Sequence, residues 1–222
     1  MMANYVFLGA PGVGKGTMSA FLCARTGVVH VSTGDMLREE LASGTELGAS
    51  IQVCMAAGEL VSDALVSQLV RKRLACEDVI AAGFLLDGYP RTVPQARNLR
   101  VVLEEYGLSL DWVVLIEAQE EALTSRLVSR RVCRQCKAVY NILTKPPKKA
   151  GVCDACGGEL VQRGDDTLET VAERLAVYHR STAPLIEFYE ECGLLVRTTG
   201  ELSPAENFVE LCRGIDLPVD NV

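Results

Sequence analysis

The stretch GAPGVGKGT at residues 9–17 constrains the fold most, because it is a glycine-rich loop in a defined setting. It follows an apolar run at 4–8 and precedes a helical pattern that ends at Gly27. Glycines let main-chain amides crowd around one point, and the N-terminus of the following helix adds a partial positive charge. We therefore predict a phosphate-binding loop between a strand and a helix, made of Gly12, Val13, Gly14, Lys15, Gly16 and Thr17.

This loop differs from the commonest phosphate loop in the spacing of its hydroxyl. The common pattern has Ser or Thr directly after the lysine, whereas here Gly16 separates Lys15 from Thr17. A hydroxyl at this end of the loop ordinarily holds Mg²⁺, so we expect Mg²⁺ to accompany the nucleotide. The alternative is a glycine-rich strand-to-helix turn without a ligand.

Five short apolar runs alternate with helical patterns along the chain, at 4–10, 28–32, 83–88, 111–118 and 194–200. Strands that alternate with helices form a parallel sheet, so we predict an α/β fold with a five-stranded parallel sheet and helices on both faces. Residues 132–163 break this rhythm and predict a small inserted lobe.

Several details of the helices also follow from the pattern. Glycines 44, 48 and 58 are expected to interrupt the helices between 33 and 75, and one helix is expected over 120–131. Asp166 and Glu169 resemble a helix-capping pair. The side chains that follow at helical spacing should face the core, namely Leu168, Val171, Leu175 and Tyr178.

Composition narrows the class of protein. The net charge of -7 argues against a nucleic-acid binder, because phosphate neutralisation needs a basic surface. No apolar run is long enough to cross a membrane, and the first residues read as a strand instead of a signal peptide. We expect a cytoplasmic monomer, in which the nine cysteines are thiols and those outside the inserted lobe (Cys23, Cys54, Cys76, Cys192 and Cys212) act as small apolar residues.

Four cysteines in the inserted lobe form two C-x-x-C pairs separated by 16 residues. This spacing is typical of a tetrahedral zinc site, and we predict that Cys133, Cys136, Cys153 and Cys156 bind Zn²⁺. Four thiolates leave no coordination position for water, so the zinc should be structural. A chance pattern or a disulfide pair is the alternative.

Charged residues are expected at the carboxyl ends of the strands, where parallel sheets bind ligands. Asp87 ends one strand and could hold Mg²⁺ through water or cap a turn, and Arg91 follows it closely. Arg126 and Arg130 are four residues apart and would share one helix face, together with Arg131 nearby. With Arg163 and Arg174, they form a set suited to phosphoryl transfer, although a solvated helix face is the alternative.

Six segments together resemble the adenylate kinase family in its long-lid, zinc-containing form: residues 9–17, 32–38, 58–63, 84–96, 130–140 and 162–179. The resemblance covers nearly the whole chain in order, and Gly16 is typical of the nucleoside monophosphate kinase form of the loop. It implies a core of residues 1–31, 62–128 and 167–222, an AMP-binding region at 32–61, and a zinc-binding lid at 129–166.

The resemblance also implies roles for individual residues. The glycine loop would bind the ATP phosphates, and Arg126, Arg130, Val139, Tyr140 and Leu202 would contact ATP. The AMP pocket would contain Thr33, Arg38, Glu59, Leu60, Val61, Gly88, Tyr89, Pro90, Arg91 and Gln95, with Gln95 reading the adenine. Arg163 and Arg174 would bridge the phosphates. Lys15, Arg91, Arg130, Arg163 and Arg174 would stabilise the transferring group, while Asp165 and Asp166 would anchor the lid or assist catalysis.

The implied reaction is the Mg²⁺-dependent transfer of a phosphoryl group from ATP to AMP, giving two ADP. A kinase for UMP, CMP or GMP is an alternative, which Thr92 and Gln95 disfavour. A zinc-ribbon nucleic-acid adaptor and a nucleotide sensor without activity are others.

Overall fold

The computed structural model describes residues 3–219 and contains two sheets within that range. The strands are β1 (Tyr5–Leu8), β2 (Val29–Ser32), β3 (Phe84–Asp87), β4 (Trp112–Glu117), β5 (Arg130–Cys133), β6 (Val139–Asn141), β7 (Leu160–Val161) and β8 (Leu195–Thr199). The larger sheet has the order β2-β3-β1-β4-β8, and all of its strand pairs are parallel. The predicted fold class and its five strands are confirmed.

Helices cover both faces of this sheet. They are α1 (Lys15–Thr26), α2 (Thr33–Ala42), α3 (Glu46–Ala57), α4 (Asp63–Leu74), α5 (Glu77–Ala82), α6 (Val93–Glu105), α7 (Glu120–Val128), α8 (Leu168–Val177), α9 (Leu185–Glu191) and α10 (Pro204–Gly214), with a π-helical turn at Tyr178–Thr182 between α8 and α9. None of these helices has the length and apolarity needed to cross a membrane.

The alternation of side chains along β1 explains the two-sided core. Val6 and Leu8 belong to one buried cluster with residues of α4 and α6, whereas Tyr5 and Phe7 belong to another with residues of α1 and α10. Successive strand residues point to opposite faces, so a strand that is apolar throughout requires cover on both sides.

The sheet register brings two predicted segments together. Phe7 of β1 lies beside Asp87 of β3, so the glycine loop after β1 and the turn after β3 leave the same edge of the sheet. This edge is formed by the carboxyl ends of the strands, where ligands bind in open α/β sheets.

The inserted lobe is a three-stranded antiparallel sheet of order β6-β5-β7. Its buried cluster consists of only Cys133, Tyr140, Cys153 and Leu160, with Ala138 packed against them. So small an apolar core stabilises a fold weakly, which explains why a metal would be needed here.

Two predictions about helix bounds were wrong. Helix α7 ends at Val128, and Arg130 pairs with Asn141 in the lobe sheet, so Arg126 and Arg130 do not share a helix face. Gly48 does not interrupt a helix but lies inside α3, where a Cβ would come 2.7 Å from the carbonyl oxygen of Glu40. Its missing side chain permits the close approach of α2 and α3.

The start of α8 also differs from the prediction. Thr167, and not Asp166, is the N-cap, because its hydroxyl accepts the amide of Thr170 while the Asp166 carboxylate binds arginines. Val171 and Leu175 are buried as predicted, whereas Leu168 is 66% exposed and Tyr178 only half-buried.

The cysteines outside the lobe were predicted to act as small apolar residues, and this holds only in part. Cys212 is buried, and Cys23 and Cys54 are half-buried in helices. Cys76 and Cys192 are exposed at helix ends, as the N-cap of α5 and the C-cap of α9.

Candidate nucleotide site

The glycine loop has the backbone that close approach of an anion requires. Gly12 and Gly14 have φ of 87° and 106°, in the left-handed region that side chains disfavour. A Cβ at Gly12 would lie 2.9 Å from both the carbonyl oxygen of Leu123 and the Cγ of Leu127. Helix α1 begins at Lys15 without a side-chain cap, so its first amides are available to an anion.

Lys15 folds back over this loop. Its Nζ donates hydrogen bonds to the carbonyl oxygens of Gly9 at 2.6 Å and Ala10 at 3.1 Å. Burial lowers the pKa of Lys15 to about 8, with the nearby arginines adding to the effect and Asp87 opposing it. An incoming phosphate would restore the balance of charge by adding negative charge at this point.

We expect the lowered pKa of Lys15 to appear in the pH dependence of activity. kcat/KM for ATP reports the free enzyme, and should fall as pH rises through about 8, when Lys15 loses its charge. Steady-state assays of the wild type and Lys15→Arg test this, since arginine keeps its charge and should move the fall to higher pH. An identical fall in both proteins would show that another group is responsible.

The same shift affects stability with a defined sign. Because the pKa of Lys15 falls from 10.5 to about 8 on folding, the unfolded chain binds more protons between these values. The contribution of Lys15 to stability therefore rises with pH across that window.

The surroundings of Asp87, at the end of β3, favour its ionised form. Burial would raise its pKa, but a hydrogen bond with His30 and the charges of Lys15 and Arg91 lower it. The His30 Nε2 lies 3.6 Å from the Asp87 Oδ2. The N-cap of the next helix, α6, is Thr92, so Asp87 does not cap it. An ionised oxygen ligand beside the glycine loop fits Mg²⁺, as does the exposed hydroxyl of Thr17.

The turn after β3 brings three predicted residues together at Gly88. The Thr33 hydroxyl and the Arg91 Nε each donate to the Gly88 carbonyl oxygen at 2.8 Å. A Cβ at Gly88 would lie 2.7 Å from the Thr33 Oγ1, and the Gly88 φ is 83°. The following peptide bond, Tyr89–Pro90, is cis. The turn thus joins the start of α2 to the end of β3. Burial lowers the pKa of Arg91 in this turn.

Two guanidinium groups share one buried carboxylate. Arg130 binds both Asp166 oxygens, through Nε at 2.8 Å and Nη2 at 2.6 Å. Arg174 donates to Asp166 at 2.9 Å and also lies 3.1 Å from the Asp165 carboxylate. The Asp166 side chain is fully buried, so it joins β5 of the lobe to α8 of the core. This supports the predicted anchoring role of the acidic pair.

We expect Asp166→Asn to lower the free energy of unfolding by about 3 kcal/mol, because it leaves two largely buried guanidinium groups without their shared counter-charge. Asp165→Asn is the matched control, since among the described residues Asp165 forms one ion pair, with Arg174, and that arginine would keep Asp166. This substitution should cost less, about 1 kcal/mol. Urea unfolding measures both values. Equal losses of unfolding free energy in the two variants would contradict the role of Asp166 as the shared counter-charge.

Arg163 has no ion pair among the described residues. Burial lowers its pKa to about 10, and the charges of Arg130 and Arg38 add to this effect. Arg38 itself binds Asp35 at 2.6 Å. A partly buried guanidinium beside two others is a place where an anionic ligand would be stabilised.

The predicted base-reading residue, Gln95, is buried and its amide already has partners. Its Oε1 accepts the main-chain N–H of Arg91 at 2.7 Å, and its Nε2 donates to Asp63 at 2.7 Å. Of the other residues predicted for this pocket, Val61 is buried, Leu60 half-buried, and Glu59 exposed, with Arg180 at 3.5 Å.

The residues predicted to contact ATP from the lid lie in different surroundings. Arg126 donates to the Gly200 carbonyl oxygen at 2.8 Å, and Val139 is 45% exposed. Tyr140 is buried, with its hydroxyl accepting the amide of Asp154 at 2.8 Å and lying 3.5 Å from the Cys153 sulfur. Contact between this hydroxyl and ATP would break those bonds, so the main chain is the better candidate.

Leu202 was predicted to contact the ATP base through its backbone. Its N–H donates to the Asn207 side chain at 3.1 Å, and its carbonyl oxygen accepts from the same amide at 3.0 Å. Asn207 was not foreseen from the sequence, and neither were His30 and Asp63. Each is an ordinary polar residue in a strand or helix pattern, and only the fold reveals its partner.

The four lobe cysteines converge as predicted. Their sulfur atoms all lie within 4.8 Å of one another, and the pairs Cys133–Cys156 and Cys136–Cys153 are 3.5 Å apart. A tetrahedral site with zinc–sulfur bonds of about 2.3 Å places its sulfurs about 3.8 Å apart, so the cluster could hold a metal ion such as zinc. None of the nine cysteines, all of which are described, forms a disulfide.

The two cysteine pairs have matching local structure. The amides of Lys137 and Gly157, one residue past each pair, bond to the carbonyls of Cys133 and Cys153, and both have positive φ. The Tyr140 hydroxyl lowers the pKa of Cys153 to about 6, which favours the thiolate that binds metals.

Comparison with known proteins identifies the family. A family model described as "Adenylate kinase" matches residues 7–194. Curated proteins named "Adenylate kinase" are similar over most of their length. One from Carboxydothermus hydrogenoformans is 49% identical over 93% of this chain and 96% of its own. Another, from Caldicellulosiruptor saccharolyticus, is 46% identical over 95% and 97%.

A third relative, from Desulforudis audaxviator, is 49% identical over 89% of this chain and 92% of its own. These matches confirm the resemblance inferred from the motifs, and the cysteine cluster supports the zinc-lid form. The chain belongs to the adenylate kinase family and is a kinase.

Proposed function

We propose that the protein catalyses the reversible, Mg²⁺-dependent transfer of the ATP γ-phosphoryl group to AMP, giving two ADP. The observation that carries this proposal is the convergence of charge at one sheet edge. Lys15, Arg91 and Arg174 are close enough that the arginines lower the pKa of the lysine. Arg174 is paired with Asp165 and Asp166, but Lys15 donates to carbonyl oxygens and Arg91 has no ion pair among the described residues. Cations that are only partly balanced by carboxylates suit two polyphosphate chains.

In the proposed mechanism an AMP phosphate oxygen attacks the γ-phosphorus in line, and the bond to the ADP leaving oxygen breaks. The glycine loop and Lys15 hold the ATP phosphates, and Arg91 holds the AMP phosphate. Arg130, Arg163 and Arg174 neutralise charge on the transferring group. Mg²⁺, when bound near Thr17 and Asp87, would neutralise the phosphate oxygens. No covalent intermediate with the protein is needed.

Water must be kept from the γ-phosphate, or ATP would be hydrolysed. We assign the exclusion of water to two mobile parts, the AMP-binding region at 32–61 and the lid at 129–166. Both would close over the core, which comprises 1–31, 62–128 and 167–222. Residues 1–2 and 220–222 of this core lie outside the described residues. Zinc would hold the lid as one rigid body.

The free thiols support a reducing compartment such as the cytoplasm. We propose that the protein is a monomer that binds ATP, AMP and ADP.

A chromatographic assay of nucleotides tests the proposal. With Mg²⁺, ATP and AMP the protein should form two ADP for each ATP consumed, and the product should vanish without AMP or Mg²⁺. The protein should phosphorylate AMP faster than UMP, CMP or GMP. Release of inorganic phosphate with no AMP dependence would contradict transfer, and preference for another monophosphate would contradict the choice of acceptor.

A further inference from the structure

Asp63, the first residue of α4, joins the N-cap of α6, Thr92, and Gln95 within α6 through its two carboxylate oxygens. Its Oδ1 accepts from the Gln95 Nε2 at 2.7 Å, and its Oδ2 accepts from the Thr92 hydroxyl at 2.8 Å. The Thr92 oxygen in turn accepts the main-chain N–H of Gln95 at 3.3 Å, so its own proton is directed to Asp63. Both carboxylate oxygens are therefore committed to this small network.

This network allows the Gln95 amide one orientation. Its nitrogen faces the Asp63 carboxylate, which can only accept, and its oxygen faces the Arg91 main-chain N–H, which can only donate. A flipped amide would place oxygen against oxygen and N–H against N–H. Two repulsive contacts at a buried side chain strongly disfavour the flipped state.

A fixed amide can distinguish purines. Its nitrogen and oxygen each retain one further hydrogen-bonding position. Adenine carries a donor at the 6-position and an acceptor at N1, whereas hypoxanthine carries an acceptor at the 6-position and a donor at N1. An amide free to flip could match either base, but a locked amide matches only one of them in a given pose.

We propose that Asp63 is a positioning residue that locks the Gln95 amide and thereby sets the base preference of the acceptor site. This inference rests on the proposed function, in which Gln95 reads the base of AMP. A purely structural role, in which Asp63 only ties α4 to α6, would affect stability and turnover with every acceptor alike.

The test compares AMP with inosine monophosphate, which differs only at the 6-position and N1. Asp63→Ala removes the acceptor that holds the Gln95 nitrogen, so the preference in kcat/KM for AMP over inosine monophosphate should fall about tenfold, the size of one bidentate base contact. The loss should lie mainly in KM for AMP. Asp78→Ala is the matched control, because Asp78 also lies in the first turn of a helix and binds a side chain, that of Arg73.

Further variants separate the possible outcomes. Asp63→Asn can keep its oxygen on the Gln95 nitrogen and turn its NH₂ to the Thr92 oxygen, so it should lower the preference less, and Asp63→Glu should restore most of it. If both Asp63→Asn and Asp63→Ala keep the wild-type preference while Gln95→Leu loses it, Asp63 does not position the amide and the inference is overturned. If Gln95→Leu also keeps it, the base-reading role of Gln95 fails. If the wild type does not phosphorylate AMP, the proposed function itself fails.

Discussion

Replacement of Arg91 by alanine should lower kcat for ADP formation about a thousandfold, the scale of losing one arginine that stabilises a transferring phosphoryl group. Arg91 lies beside the glycine loop, close enough for its charge to affect Lys15. Among the described residues its side chain makes one hydrogen bond, to the Gly88 carbonyl oxygen, so its guanidinium retains donors for phosphate. Steady-state kinetics with saturating ATP and AMP measure the change.

The fold should tolerate this substitution. Burial of the Arg91 cation is unfavourable without an anion, as its lowered pKa indicates, so alanine should change Tm little. Arg100→Ala, at an exposed position of α6, is the control and should keep wild-type activity. Wild-type turnover in Arg91→Ala would remove this residue from the transfer step, whereas a matching drop in Tm would reassign it to folding.

Removal of the metal should unfold the lobe while the main sheet stays folded. The lobe core contains two of the four clustered cysteines and only a few apolar residues, so little besides a bound metal would stabilise it. Hydrogen exchange of amides between 133 and 160 should accelerate at least about a hundredfold after chelation, because a structural metal site supplies several kcal/mol of folding free energy. Amides of β1, β3 and β4 should keep their protection.

Cysteine variants provide the control for chelation. Cys153→Ser removes one buried sulfur of the cluster and should reproduce the effect, whereas Cys192→Ser alters an exposed cysteine outside the cluster and should not. Elemental analysis should give one metal ion per chain before chelation and none after it. Unchanged exchange in metal-free protein would contradict a structural role for the cluster.

The parts that the sequence predicted depend on local chemistry. The glycine loop needs positive φ at Gly12 and Gly14, and few residues other than glycine supply it. The strands are apolar because helices cover both faces, and the cysteine spacing matches two tight turns. In each case the pattern and its cause lie within one short segment.

The features that the sequence predicted wrongly, or did not predict, depend on contacts between distant segments. The helical pattern of α7 continued past Val128 in sequence, but strand pairing to Asn141 ended it. Asp166 looked like a cap because local pattern cannot show that Arg130 and Arg174 would take its carboxylate. Asp63 pairs with Gln95, 32 residues away, and no periodicity reveals such a bond.

The location of the two nucleotides tests the account most directly. A crystal structure with a compound that joins two adenosines through five phosphates should show the phosphate chain running from the glycine loop and Lys15 to Arg91, with one adenine near Gln95. The guanidinium groups of Arg130, Arg163 and Arg174 should surround the middle phosphates. A compound bound elsewhere, or with its phosphates away from Lys15 and Arg91, would contradict the proposed transfer.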